Sequence, residues 1–334
     1  MVEKILNEDC IKSHKIDDCS VDLLICDPPF GIEESTFDKH YARNDVTVLP
    51  GYVEAPDDYA EFTKQWMSEG VRALKSNGSM LVIIGHTNLR HVLNTAAYLN
   101  LNEVNHIIWK YNFGTNTTRK FVTSHYHILY YTKGKSVNRI FNTNCRFGSH
   151  EKDENGKSML YADLEDVFCI NKEFHHSKIK NQNKLPDALL EKLIFYCSQQ
   201  GDTVGDFFLG NFTTALVAKS CGRIPVGYEL NKNAYEIGMK KLSDIVFGIR
   251  LKEIPDIQDI KPLNQGKSLD DKEKLDICKK YAELINTQTK KIAITKICNE
   301  FGRGCFSIIN ILKDNSELVS KFKKRKSKFE INFS

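Results

Sequence analysis

The sequence has no stretch that would cross a membrane and no recognisable export signal. Apolar runs such as LLIC (23–26) and MLVIIG (80–85) have the length of strands, well short of the roughly 18–20 residues of a membrane-spanning helix. The first ten residues, MVEKILNEDC, carry acidic side chains where a secretory signal has its apolar core. We therefore expect a cytoplasmic protein that makes no contact with a membrane.

Motifs for metal and phosphate binding are also missing. The ten cysteines are scattered without a CxxC pair, which argues against a zinc site and a disulfide framework and predicts reduced thiols. His175 and His176 are adjacent, so their side chains would diverge on a strand, and no matched set of ligands accompanies them. Neither GxGxxG nor a lysine-bearing phosphate loop occurs. We expect no metal site, and a ligand without phosphates.

Positive charge is concentrated in two parts of the chain. The net charge is only +4, but residues 249–334 hold 19 basic and 12 acidic side chains, and residues 113–184 hold 12 and 7. The rest of the chain is acidic, with 16 basic and 24 acidic side chains. This distribution favours contact between the two basic segments and a polyanion.

Short apolar runs alternate with amphipathic stretches through the first three quarters of the chain. The pattern predicts strands at 21–27, 79–85, 104–109, 126–132, 203–208 and 224–229, and helices at 56–74, 87–99, 185–202, 213–222 and 233–242. Ser76-Asn77-Gly78 is expected to end the first helix, and 133–184 is expected to be irregular. Repeated alternation predicts an α/β fold with a doubly wound, mostly parallel sheet.

The pattern changes after Gly248. Residues 249–268 resemble a linker, with two prolines and no apolar period, and 269–334 are predicted to form a small helical domain. Within it, 289–313 contain two short apolar-periodic helices separated by FGRG, like a helix-turn-helix. The basic run KFKKRKSKF (321–329) follows. We favour a DNA-contacting accessory domain; a helical cap or dimerisation element is the alternative.

The first chemically unusual cluster is Asp27-Pro28-Pro29-Phe30, directly after a predicted buried strand. The two prolines stiffen the turn and hold the Asp27 carboxylate and the Pro28 carbonyl beside an aromatic ring. Two such acceptors suit the N–H bonds of a planar amine whose ring stacks on Phe30. Held out of plane, they favour a more tetrahedral nitrogen whose lone pair attacks an electrophilic methyl group.

The second cluster is a nucleotide-type loop between a strand and a helix, 206–214. Gly210 allows the backbone to approach a ligand closely. Glu229, which ends the next predicted strand, stands where an acidic residue binds ribose hydroxyls in doubly wound folds. The loop therefore predicts a donor pocket for a ligand that carries a ribose.

Together these motifs resemble the amino-methylating DNA methyltransferases in the β arrangement, which act on adenine N6 or cytosine N4 with S-adenosylmethionine. The similarity covers about residues 4–245. The stretches that carry it are KILNEDCIKSHKIDDCSVDLLICDPPFGI (4–32), WMSEGVRALKSNGSMLVI (66–83), NHIIWKYN (105–112), KLPDALLEKLI (184–194) and GDFFLGNFTTALVAKSCGRIPVGYE (205–229). The resemblance implies a Rossmann-like methyltransferase domain at 1–248 with a circularly permuted motif order. KILN (4–7) would then complete the sheet beside the strand at 224–229.

The resemblance also implies roles for individual residues. Asp27, Pro28, Pro29 and Phe30 would be catalytic. The cofactor would be bound by Asp9, Cys10, Asp27, Asn183, Lys184, Asp206, Phe207, Phe208, Gly210, Asn211, Thr213, Thr214 and Glu229. Target recognition would lie in an insert at about 113–180. DNA would be contacted by Lys110, Asn112, Arg119, Lys120, Arg146 and Lys178.

The implied activity is site-specific methylation of the N6 amine of a flipped adenine in double-stranded DNA, in a bacterial or phage setting. A homodimer and a cognate restriction endonuclease are further implied partners. Three alternatives stay open: methylation of cytosine N4, methylation of RNA or of a protein glutamine, and a non-catalytic DNA-binding regulator. The last is motivated by Phe207, Asn211 and Phe212, which stand where the family usually has Pro, Ser and Gly.

Overall fold

The protein divides into two compact units, Met1–Pro255 and Asp256–Ser334, in a computed structural model. The structure describes residues 3–31, 55–112, 118–134, 138–148, 151–171, 184–251 and 268–329. The division falls within the segment predicted as a linker. Within the described residues, the helices are all too short or too polar to span a bilayer.

Unit 1 is built on an eight-stranded sheet. Its strands are β1 Lys4–Leu6, β2 Val21–Cys26, β3 Leu74–Ile84, β4 Asn102–Lys110, β5 His125–Thr132, β6 Val167–Cys169, β7 Thr203–Asp206 and β8 Ile224–Tyr228. The order is β1-β8-β7-β2-β3-β5-β4-β6. The first five strands in this order run parallel, and β5 is antiparallel to both of its neighbours. The predicted doubly wound, mostly parallel sheet is confirmed.

Helices cover both faces of this sheet. They are α1 Cys10–Ser13, α2 Tyr59–Ala73, α3 Leu89–Tyr98, α4 Met159–Leu164, α5 Asp187–Cys197, α6 Thr213–Ser220 and α7 Lys232–Asp244. On one face, the fully buried Trp66 of α2 and Val92 of α3 pack with Leu24 and Val82 of the sheet. On the other face, α5 and α6 pack against Leu23 and its neighbours. Strands buried on both faces explain the continuously apolar runs in the sequence.

The strand at the start of the chain lies at the edge of the sheet beside β8. Lys4, Ile5 and Leu6 pair in parallel with Val226, Gly227 and Tyr228. The Glu229 N–H then donates to the Leu6 carbonyl oxygen at 3.0 Å. The predicted completion of the sheet by the N-terminal segment is thereby confirmed.

Two local predictions were wrong. Ser76-Asn77-Gly78 does not separate a helix from a strand, because α2 ends at Ala73 and β3 begins at Leu74. The three residues instead form a bulge inside β3, where Asn77 takes a left-handed φ of 68°. The segment at 133–184 is also more regular than expected, because it contains α4 and β6, and β6 adds a parallel strand to β4.

Unit 2 is all-helical in its described part. Its helices are α8 Asp271–Leu284, α9 Lys290–Phe301, α10 Cys305–Asp314 and α11 Ser316–Phe329. Gly302 ends α9 with φ of 58°, and Gly304 precedes α10, so FGRG forms the tight turn between them. Ile277, Ile297 and Ile308, all fully buried, form the core of this unit. Its contact with DNA stays a prediction.

Candidate active site

Three neighbouring strands bring the two sequence clusters to one edge of the sheet. β8, β7 and β2 are adjacent and parallel, so Glu229, Asp206 and Asp27 all follow or end strands on the same side. In open α/β sheets this carboxyl edge is where ligands bind. We call the residues after β2, β3, β7 and β8 on this side the carboxyl edge.

The Asp27-Pro28-Pro29-Phe30 loop is held by two side chains from the neighbouring helical segments. Tyr59 Oη donates a hydrogen bond to the Pro29 carbonyl oxygen at 2.9 Å. Asn88 Nδ2, just before α3, donates to the carbonyl oxygens of Phe30 and Gly31 at 2.7 and 3.3 Å. The loop is thus held at the carbonyl oxygens of three consecutive residues, Pro29, Phe30 and Gly31.

Gly31 allows this arrangement. Its φ is +62°, and a β-carbon at this position would lie 2.3 Å from Tyr59 Cδ2. Both the backbone conformation and the close approach of the Tyr59 ring therefore require glycine here.

The Phe30 ring is partly exposed and lies against aromatic and glycine neighbours. Its centroid is 5.3 Å from that of Tyr126 on β5, with the planes tilted by 57°. A β-carbon on Gly85, just after β3, would lie 3.6 Å from the Phe30 ring, an ordinary contact distance. Phe30 is thereby supported from one side and still reachable for stacking.

Glu229 organises the second loop. Its Oε2 accepts from the Gly210 N–H at 2.6 Å and its Oε1 from the Asn231 N–H at 2.7 Å. Gly210 has φ of +47°, and a β-carbon there would meet only the Phe208 carbonyl oxygen, at 3.8 Å, among the described residues. The backbone at Gly210 therefore borders open space in which a ligand can approach.

Phe207 and Phe208 of this loop make different contacts. Phe207 is buried and packs edge-on to Tyr228 at 5.2 Å between ring centroids. Phe208 lies 5.4 Å from Trp66 and 6.0 Å from Phe62, both on α2. These contacts connect the donor loop to the helix whose Tyr59 holds the Asp27 loop.

Phe212 stands where the family usually has glycine. It is fully buried, takes a left-handed φ of 63° and precedes α6. Its ring lies over Gly238 of α7, where a β-carbon would come within 2.2 Å of it. The ring therefore packs in the core formed with Leu209 and Leu242.

Burial alters the acidity of the carboxylates at this edge. Asp206 is buried, which raises its pKa to about 6, although hydrogen bonds from Thr214 and the Phe208 N–H oppose the shift. Burial also raises the pKa of Glu229. The Cys26 thiol has a raised pKa for the same reason, reinforced by the charge of Asp206 nearby.

The remaining predicted cofactor residues lie in three places. Asp9 precedes α1 and accepts from the Ile11 N–H at 2.9 Å, while Cys10 is buried in the core cluster that contains Cys26. Thr213 and Thr214 are buried at the start of α6. Lys184 donates to Asp187 at 2.8 Å at the start of α5. Asn183 lies outside the described residues.

The predicted DNA-binding residues that the structure describes lie on several elements of unit 1. Lys110 ends β4 at the level of His125, and Asn112, Arg119 and Lys120 are exposed in the segment between β4 and β5. Arg146 donates to Asp163 at 3.0 Å. Lys178 lies outside the described residues. In the described part of the chain, no group of three or more His, Cys, Asp or Glu side chains is arranged to bind a metal.

Sequence reasoning missed the residues that hold the Asp27 loop. Tyr59, Asn88 and Tyr126 contact it from α2, from the start of α3 and from β5. Nothing in the local sequence around them distinguishes them from ordinary helix and strand residues. Their role follows only from the order of the strands in the sheet.

The family model described as DNA methylase matches residues 21–240, about two thirds of the chain. The chain belongs to the DNA methylase family. The matched stretch contains both clusters, Asp27–Phe30 and the loop with Gly210 and Glu229. The resemblance seen in the sequence is confirmed.

The curated relatives that the chain matches include Type II methyltransferases. The chain is 29% identical over 249 residues to M.BamHI of Bacillus amyloliquefaciens, an alignment that covers 68% of this chain and 54% of M.BamHI. It is 27% identical over 254 residues to M.HpaI of Haemophilus parainfluenzae, covering 72% of this chain and 74% of M.HpaI. The chain thus spans about half the length of the first relative and three quarters of the second.

Solved structures with the same fold include methylases at lower identity. The methylase TTHA0409 of Thermus thermophilus has a TM-score of 0.54 and 17% identity, covering 73% of this chain and 96% of that one. The cytosine-N4-specific PvuII DNA methyltransferase has a TM-score of 0.55 and 14% identity, covering 75% and 90%. At these identities the likeness establishes the Rossmann-like fold.

Family membership supports S-adenosylmethionine as the cofactor, and the site fits it. Glu229 offers the carboxylate that a ribose diol needs, and Gly210 leaves open space beside the backbone. Lys184, the cation predicted at this site, pairs with Asp187 at 2.8 Å. The Glu229 carboxylate and the open backbone at Gly210 therefore suit the ribose of S-adenosylmethionine.

Proposed function

We propose that this protein is a site-specific DNA methyltransferase that transfers a methyl group from S-adenosylmethionine to the N6 amine of adenine. One observation carries the proposal: Asp27–Phe30, the loop with Gly210, and Glu229 follow three neighbouring parallel strands at one edge of the sheet. An amine acceptor and a donor pocket thereby share one cleft.

Asp27 and its neighbours prepare the amine. The Asp27 carboxylate and the Pro28 carbonyl each accept one N–H bond of the target amine, and Phe30 stacks on the base. These bonds, held by a rigid loop, reduce the overlap of the nitrogen lone pair with the ring and aim it at the donor. Asp27 is then in place to accept the surplus proton of the methylated amine. S-adenosylmethionine, when bound, supplies an electrophilic methyl group on a sulfonium sulfur.

The donor side is assigned to the loop after β7. Glu229 holds the ribose hydroxyls while its two backbone hydrogen bonds keep the carboxylate oriented. The Asp206 carboxylate accepts a hydrogen bond from the Phe208 N–H and so holds the backbone of the loop. Asp9 and Cys10 are assigned to the adenine of the cofactor, and Asn183 and Lys184 to its methionine end, on the strength of the family resemblance alone.

Adenine is favoured over cytosine by the first residue of the motif. Members of the family more often combine Asp at this position with adenine and Ser with cytosine, and this chain has Asp27. The target amine is paired inside a duplex, so the base is extruded into the pocket at a cost of a few kcal/mol. The basic segments at 113–184 and 249–334 supply phosphate contacts that hold the distorted duplex.

Sequencing of genomic DNA from a host that expresses the protein, with detection of modified bases, tests this proposal. We expect N6-methyladenine at one short recurring sequence, absent from a host expressing Asp27→Ala. N4-methylcytosine instead would correct the base and keep the enzyme class. Unmodified DNA, together with no calorimetric binding of S-adenosylmethionine, would favour a DNA-binding regulator. A cognate restriction endonuclease and a homodimer stay predictions.

A further inference from the structure

A cluster of histidines lies on the sheet beside the active site. β5 presents His125 and His127 on one face, because residues two apart in a strand point the same way. On β4, Lys110 pairs with His125, and His106 pairs with Leu129, one step beyond His127 on that face. His86 follows the end of β3. We use the name histidine patch for His86, His106, His125, His127 and Lys110.

The imidazoles of the patch contact one another directly. His106 Nε2 and His127 Nδ1 are 2.8 Å apart, a hydrogen bond in which one ring donates and the other accepts. The rings of His125 and His127 lie 5.1 Å apart, nearly perpendicular. A ring that accepts a hydrogen bond is neutral, so at most one member of the His106–His127 pair is charged in this arrangement.

The charges that face His127 are all basic. Partial burial and the neighbouring His106, His125 and His86 lower its pKa to about 4. Among the described groups that act on its charge, none is a carboxylate. Glu103 on β4 stands opposite Tyr131, four residues along β5 from His127.

The helix packed over this sheet face contributes basic groups near its start. On α3, Arg90 Nε lies 3.2 Å from His91 Nε2, so these two basic groups contact each other. The described side chains that act on the charge of His127 are therefore all basic, which favours an anionic ligand at the patch.

The patch borders the pocket assigned to the target base. His127 pairs with Ile84, the last residue of β3. Gly85, the next residue, lies beside the Phe30 ring, and His86 comes directly after it. An anion bound to the patch would thus lie next to the base held by the Asp27 loop.

We propose that the histidine patch binds a phosphate of the duplex backbone beside the target base and takes up a proton as it does so. The inference rests on the proposed function, because that function supplies DNA as the partner. A backbone phosphate accepts hydrogen bonds from imidazolium and stabilises its charge, which reverses the mutual repulsion within the patch. Phosphate contacts carry no sequence information, so the effect needs no knowledge of the recognition site.

The test measures binding of the full-length protein to a short fluorescein-labelled DNA duplex of arbitrary sequence at constant ionic strength. Each proton taken up on binding lowers Kd tenfold per pH unit, so between about pH 8 and pH 6, where free imidazoles titrate, we expect a total fall in Kd of at least about tenfold. His127→Asn, whose amide nitrogen replaces Nδ1, should reduce this change to less than about twofold. His14→Asn is the control, because His14 pairs with Glu69 outside the patch.

Calorimetry in two buffers of different ionisation enthalpy counts the protons directly. Wild type should take up protons on binding DNA, and His127→Asn should take up fewer. His106→Asn repeats the test at an exposed position, where we expect the substitution to leave folding unchanged. If both variants keep the wild-type pH dependence and proton uptake, the patch is not a phosphate contact, even where genomic methylation persists. If wild type neither binds the duplex nor methylates genomic DNA, the proposed function itself fails.

Discussion

Tyr59 Oη donates a hydrogen bond to the Pro29 carbonyl oxygen at 2.9 Å, so a helix on one face of the sheet fixes the loop that follows β2. The same helix carries Trp66, which contacts Phe208 of the donor loop. One amphipathic helix thereby supports both halves of the proposed cleft, and its sequence gives no direct sign of this.

Tyr59→Phe should slow methyl transfer without preventing cofactor binding. Removal of the hydroxyl loses one hydrogen bond worth about 1 kcal/mol and loosens the loop that orients the amine, so we expect kcat to fall by about five- to tenfold. Steady-state transfer of labelled methyl groups to DNA measures kcat, and calorimetry measures the cofactor Kd. Tyr98→Phe, on exposed α3 surface, is the matched control and should behave as wild type.

Asp27→Ala should abolish methyl transfer while DNA binding is retained. The change removes the charged acceptor for the amine, and loss of such a preorganised group costs at least about 100-fold in kcat. Methyl transfer and duplex binding are measured on the same preparation. Unchanged turnover would remove Asp27 from the catalytic assignment.

Glu229→Gln should weaken cofactor binding and remove part of its pH dependence. Because burial raises the pKa of Glu229, the wild-type carboxylate is protonated at a higher pH than an ordinary Glu. Wild-type affinity for S-adenosylmethionine should therefore decline on acidification earlier than an ordinary carboxylate would cause. Calorimetric titrations over a pH series check this. A variant with wild-type affinity and pH profile would place the ribose elsewhere.

Asp206→Asn should change how the stability of unit 1 depends on pH. Folding raises the pKa of Asp206 to about 6, so the folded state holds a proton that the unfolded chain has released. Stability contributed by this group is present below the unfolded pKa, near 4, and is lost as the pH rises to about 6. The variant should gain up to about 3 kcal/mol relative to wild type across this window. Urea unfolding followed by tryptophan fluorescence measures it, since Trp66 and Trp109 both lie in unit 1.

Gly238→Ala should destabilise unit 1 through Phe212. The new methyl group would lie 2.2 Å from the Phe212 ring, so we expect a loss of about 1–3 kcal/mol. Gly85→Ala is the control, because its β-carbon would lie at an ordinary 3.6 Å from its nearest neighbour. Phe212→Gly, which restores the family residue, should make Gly238→Ala less costly. A strictly additive double variant would contradict this coupling.

The sequence predicted the strands that end in functional residues, and it failed where only tertiary contacts decide the local structure. Apolar runs bounded by Asp27, Asp206 and Glu229 identified β2, β7 and β8, because buried parallel strands end in ligand-binding residues. The turn expected at Ser76-Asn77-Gly78 became a bulge, because pairing of Leu74 with Val21 extends the strand back to the helix. Intrinsic turn propensity is outweighed there by hydrogen bonds to a neighbour distant in sequence.

Tertiary packing also explains two of the three departures from the family pattern, Phe207 and Phe212, and leaves Asn211 without a structural explanation. Phe207 and Phe212, which stand in place of proline and glycine, are buried in two different hydrophobic clusters, and their rings fill space there. The partner that makes room for Phe212 is Gly238, which lies on a later helix. A single sequence shows the unusual residue and its compensating glycine without showing that they touch.

The pairing of β1 with β8 has a consequence for synthesis. The strand at Lys4–Leu6 finds its partner only when Ile224–Tyr228 has left the ribosome, more than 200 residues later. Until then its backbone donors and acceptors face solvent or another chain, which is the condition under which unpaired strands aggregate. During synthesis the strand at Lys4–Leu6 therefore stays unpaired until β8 has been made. The strand begins with Lys4 and is followed by Asn7, and these polar side chains disfavour pairing with other chains in the meantime.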